Sequence, residues 1–61
     1  MKQVKLVQMN QGTRFRLKPD SSVIYIRGEF VAKEQGYVAF KENDPAAQYV
    51  FSKNRKVCVE S

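Results

Sequence analysis

An all-β fold, a small antiparallel meander rolled into an SH3-like or OB-like barrel or half-barrel, is predicted by three features of this 61-residue chain. Apolar and polar residues alternate with period two along several stretches, which places successive side chains on opposite faces of a strand. These stretches are short and lie at near-even spacing between clusters of turn residues. No full helix intervenes between them.

The elements follow in order. Val4 and Leu6 alternate near the start, and Met9-Asn10-Gln11-Gly12 makes a turn. Thr13-Arg14-Phe15-Arg16-Leu17 alternates cleanly, with Phe15 and Leu17 facing inward and Arg14, Arg16 and then Lys18 forming a basic outer face. Pro19, Asp20, Ser21 and Ser22 end that strand, because proline removes a donor and the short polar side chains compete for local hydrogen bonds. Val23 to Phe30 is the richest in strand formers and is expected to be the central strand. Its face of Ile24, Ile26, Gly28 and Phe30 is apolar and is assigned to the core, which leaves Val23, Tyr25, Arg27 and Glu29 outside. Gly28 marks a bend or bulge.

Lys33-Glu34-Gln35-Gly36 reads as a hairpin loop, and Tyr37 to Lys41 as the returning strand with Val38 and Phe40 inward. Glu42 to Ala47 is expected to be a longer connection, with one helical turn capped by Asn43 or Asp44 and Pro45 in its first position. Gln48 to Ser52 is a further strand, Ser52 to Arg55 a turn, and Lys56 to Glu60 a closing strand with Val57 and Val59 inward and Cys58 opposite. The expected core is therefore Val4, Leu6, Phe15, Leu17, Ile24, Ile26, Phe30, Val38, Phe40, Val57 and Val59.

Size and composition narrow the function. Residues 1–61 suffice for one small β domain. Histidine is absent and Cys58 is the lone cysteine, so neither an intrachain disulfide nor a four-ligand nitrogen or sulfur zinc site can form within one chain. A lone thiol in so small a domain suits a reducing compartment, and the cytoplasm is the expected location. The longest apolar run near the start is Leu6-Val7, too short for a signal peptide or a membrane span.

An enzyme is not expected: no base stands at a recognisable spacing from Ser, Thr or Cys58, and Gly12, Gly28 and Gly36 are too scattered to cradle a phosphate. Glu42-Asn43-Asp44 gathers oxygens in one loop but falls short of a calcium site, and no cofactor is expected. Cys58 reads as an inert structural thiol, with Lys56 on the same face as its one electropositive neighbour.

The chain carries eleven Lys and Arg against six Asp and Glu, a formal charge of +5. Such an excess favours polyanionic partners and equally keeps a small protein soluble. The leading reading is weak electrostatic nucleic-acid binding by a basic and aromatic strand face. Arg14, Arg16, Lys18, Tyr25 and Arg27 form it, and Lys53, Arg55 and Lys56 extend it from the last turn. The rival is a protein-interaction or homodimeric module that uses Tyr37, Tyr49 and Phe51 or a free strand edge.

Two segments carry a family resemblance. Met9-Asn10-Gln11-Gly12-Thr13-Arg14-Phe15-Arg16-Leu17 and Val23-Ile24-Tyr25-Ile26-Arg27-Gly28-Glu29-Phe30 resemble short uncharacterised bacterial and phage-associated small β-domain proteins. Their pattern sets a glycine turn before an amphipathic strand, then a β-branched and aromatic strand ending in Arg-Gly-Glu and an aromatic residue. The resemblance covers about half the chain. It implies a β fold and assigns no functional residue.

Overall fold

The computed structural model describes residues 2–60 and is all-β. Its strands are β1 (Lys2–Lys5), β2 (Arg14–Phe15), β3 (Tyr25–Val31), β4 (Gly36–Lys41), β5 (Asp44–Ser52) and β6 (Lys56–Val59). Single 3₁₀ turns occupy Leu6–Gln8 and Ala32–Glu34. All strand pairs are antiparallel, and they form two sheets: β1 with β6, and β2-β3-β4-β5 in that order. An isolated bridge joins the sheets, where the Arg16 and Cys58 amides each donate to the other's carbonyl at 2.8 and 2.7 Å. Among the described residues the sheets do not close into a barrel, and β5 borders β4 alone.

Turn chemistry sets the strand pairing. The Thr13 amide donates to the Asn10 carbonyl at 3.2 Å, and Gly12 takes a φ of 90°, the left-handed conformation that glycine adopts at little steric cost. This turn docks on β3, with the Gly12 amide donating to the Arg27 carbonyl at 2.8 Å and the Arg27 amide to the Thr13 carbonyl at 3.0 Å. The expected turn after Lys18 is present, with the Ser21 amide donating to the Lys18 carbonyl at 3.1 Å.

The core is Leu6, Met9, Phe15, Tyr25, Tyr37, Ala39 and Val57, with Val4, Leu17, Phe51 and Val59 packed at its margin. Phe15, Leu6, Val57 and Cys58 are the largest fully buried side chains. This confirms the inward assignment of Phe15 and Val57 and reverses it for β3 and β4. Ile24, Ile26, Val38 and Phe40 lie half-buried on the outer face, and Tyr25, Tyr37 and Ala39 fill the core in their place. Area is the physical reason. Tyr25 stacks on Phe15 with ring centroids 5.6 Å apart and meets Tyr49 and Phe51 edge-on at 6.0 and 5.7 Å, burying more apolar surface than an isoleucine would.

Phe30 departs differently. The expected irregularity at Gly28 is present as a register shift between Arg27 and Phe30. The extra residue returns Phe30 to the Tyr37 face, where it is 47 % exposed. Cys58, expected on the face opposite the core, is nonetheless only 1 % exposed.

The connection between β4 and β5 is also tighter than expected. Residues 42–43 make a short turn, Lys41 pairs with Asp44, and no helical turn forms. Pro45 lies inside β5, where it is tolerated because β5 is an edge strand and its pairing shifts register between Phe40 and Lys41.

Candidate nucleic-acid interface

The side-chain alternation of β3, β4 and β5 gathers aromatic and cationic groups on one face of the four-stranded sheet. The register pairs Tyr25 with Lys41, Arg27 with Ala39, Phe30 with Tyr37, Tyr37 with Phe51, and Ala39 with Tyr49, so all eight share that face. The 3₁₀ turn at Leu6–Gln8, whose Leu6 and Val7 amides donate to the Arg55 and Lys53 carbonyls, brings Leu6 into the core from the Ser52 end, and β6, bridged to the chain beyond β2 at Arg16 and Cys58, contributes Val57. Tyr49 at 40 % exposure and Phe30 at 47 % stand open to solvent.

The aromatic rings are ordered by one another. Tyr49 and Phe51 stack, with centroids 6.1 Å apart and planes 11° from parallel, and the buried Tyr25 ring braces both edge-on. Phe30 and Tyr37 make a second pair at 5.2 Å. Three cations lie over these rings. The Arg27 guanidinium sits 3.6 Å from the Tyr37 centroid, Arg55 lies 5.0 Å from Phe51, and the Lys41 ammonium lies 5.7 Å from Tyr49. The Arg27 Nε is buried and meets no acceptor among the described residues, which leaves an unmet donor within the face.

The other expected site residues lie elsewhere. Arg14 pairs with Ile26, which turns its side chain to the opposite face from Tyr25 and Arg27, where Glu42 binds it at 2.5 Å. Arg16 lies beside Cys58 and reaches Glu60 at 3.8 Å. Both arginines line a cavity of about 200 Å³ together with Thr13, Ile24, Cys58 and Glu60. The expectation that Arg14 and Arg16 neighbour Tyr25 and Arg27 is thus corrected, because it rested on placing Ile26 in the core.

Lys18 and Lys56 are exposed, and the Lys53 ammonium donates to the Gln35 Oε1 at 3.2 Å. Tyr25 and Tyr37 are core residues at 9 % and 7 % exposure, so neither offers its ring as an open contact surface. Sequence reasoning missed Lys41, whose signal was its placement one step past Phe40 in a strand whose true inner face is Tyr37, Ala39 and Lys41.

No group of three or more metal-ligating side chains occurs among the described residues, and no helix is long and apolar enough to cross a membrane. Comparison with family models, curated proteins and solved structures returned no match to this chain.

Proposed function

We propose that this protein is a non-enzymatic module that binds single-stranded nucleic acid on the aromatic face of β3, β4 and β5. The observation that carries the reading is the interleaving of three cations, Arg27, Lys41 and Arg55, with the rings of Tyr37, Tyr49 and Phe51. Phosphates are drawn to the cations through counterion release, and bases stack on exposed rings or on the arginine plane. Tyr49, open and held parallel to Phe51, is the stacking residue, and Phe30 extends the platform toward the Arg27 end. Phe30 and Tyr49 are the exposed part of a sheet face that is otherwise core, and a partly exposed sheet face of this kind suits an SH3-like or OB-like half-barrel. A cytoplasmic setting suits both the lone thiol and a nucleic-acid partner.

The test is fluorescence anisotropy of labelled single-stranded and duplex oligonucleotides, titrated at about 50 and 200 mM salt. Single strands are expected to bind more tightly than duplex. Tyr49→Ala should weaken binding by about 1–3 kcal/mol, the measured range for one base-aromatic stack. Arg14→Gln, on the opposite face, should leave the affinity within about twofold, as for a phosphate-remote surface charge. Equal affinity of the Tyr49→Ala and unaltered proteins would sink the reading.

A further inference from the structure

We infer that two copies of this chain associate through the free edge of β5, antiparallel about a two-fold axis at Val50. The inference is independent of what the aromatic face binds.

The backbone of β5 is poised for it. The Lys53 amide donates to the Gln35 carbonyl at 3.0 Å, so residues 35 and 53 form a hydrogen-bonded pair of the β4-β5 ladder. Hydrogen-bonding direction alternates along a strand, so Phe51 and Tyr49 turn their amides and carbonyls toward β4. Those of Gln48, Val50 and Ser52 therefore point away from the sheet. Nothing caps this edge among the described residues apart from the Arg55 amide, which donates to the Ser52 carbonyl at 3.0 Å.

Protein edges are ordinarily guarded by charge, proline or a bulge. Here the guards, Asp44, Pro45 and the register shift, all lie at the start of β5, and residues 48–52 form a regular uncharged segment in a chain of net charge +5.

The side chains of that segment select a second copy as the occupant. Pairing about Val50 sets Val50 against its own counterpart, Gln48 against Ser52, and Tyr49 of each copy against Phe51 of the other. Tyr49 and Phe51 then fall at the closely spaced, non-hydrogen-bonded positions where cross-strand aromatic pairs gain most. Val50, 47 % exposed in one copy, becomes covered. The Val50 and Ser52 amides gain the opposite Val50 and Gln48 carbonyls, about four hydrogen bonds for the seam. Two copies each carrying +5 repel, so added salt strengthens this association.

Sedimentation velocity of the full chain from micromolar to millimolar concentration, at about 50 and 200 mM salt, tests it. The expected result is a shift from the 7.1 kDa species toward twice that mass, at lower protein concentration in the higher salt. Val50→Lys places like charges directly opposite and should raise the dissociation constant about tenfold or more. Hydrogen exchange on the unaltered protein reads the seam without any substitution: the Val50 and Ser52 amides should exchange more slowly as concentration rises, and the Tyr49 and Phe51 amides should not change relative to the rest of β4 and β5. A monomer at millimolar concentration in the higher salt would overturn the inference. So would exchange at Val50 and Ser52 that does not depend on concentration, or a folded Val50→Lys protein that dimerises as well as the unaltered chain.

Discussion

Of the three glycines, Gly36 is the one at which the fold has least room for a side chain. A Cβ built there would lie 2.3 Å from the Phe51 carbonyl oxygen and 3.0 Å from its carbon, and both are backbone atoms of the neighbouring strand that cannot rotate away. Gly36→Ala must therefore push β4 and β5 apart, and overpacking of this kind costs about 1–3 kcal/mol or more. The expected outcome is a clear fall in the urea midpoint with the slope unchanged. Gly12→Ala meets no atom within 4 Å but keeps a φ of 90°, so its smaller cost is conformational. Burial governs Cys58 in the same way. Only 1 % exposed, its thiol should react with an aromatic disulfide reagent far more slowly in the folded protein than in urea. Immediate full reaction under native conditions would show that β6 opens freely.

At the scale of the element, β3 shows why alternation fixes faces without saying which one is inside. Residues 24, 26, 28 and 30 carry no charge, and 25, 27 and 29 include Tyr25, Arg27 and Glu29, so polarity alone favours the first set for the core. Two facts outside the sequence pattern decide otherwise. The bulge after Arg27 transfers Phe30 to the other face, and Tyr25 finds Phe15, Tyr49 and Phe51 there. Arg27 is admitted because its guanidinium stacks on Tyr37 at 3.6 Å, combining an apolar body with a charge at the open end.

β2 was legible because only one of its sides reads as apolar around Phe15, so the same rule had a single answer, whereas in β6 it identified Val57 and missed the burial of Cys58 on the other side. The proposed binding face inherits both outcomes. Arg27, Tyr49, Phe51 and Arg55 were identified from residue type, but their meeting on one face depends on a register that no single strand encodes. Truncation separates the two faces. Tyr25→Ala should cost about 3–5 kcal/mol, the range for deleting a buried aromatic ring, and Ile26→Ala distinctly less because Ile26 is only half-buried. Thermal or urea unfolding of the two variants reads the order directly, and the reverse order would return Ile26 to the core.

For the whole molecule, salt separates the two ways in which the charge of +5 acts. Binding to a single strand releases about 0.7 counterions per neutralised phosphate, so a face with Arg27, Lys41 and Arg55 engaged gives a log-log slope of about −2, or roughly a 20-fold loss of affinity between about 50 and 200 mM salt. Lys41→Gln should flatten that slope by about 0.7, with the same change on every sequence tested. Self-association moves the opposite way, because screening weakens repulsion between two basic copies while the uncharged seam at residues 48–52 is untouched.

The two effects meet where a long strand crosses both copies. Tyr49 and Phe51 of each copy then adjoin the other's, six cations face one strand, and the slope doubles to about −4, a loss of several hundredfold over the same salt range. Short oligonucleotides that span a single face should keep the slope near −2 at every protein concentration. Long ones should steepen as the protein passes its dimerisation range, and should return to −2 in Val50→Lys. A slope that stays the same for short and long strands in the unaltered protein would mean that the two faces do not act on one strand.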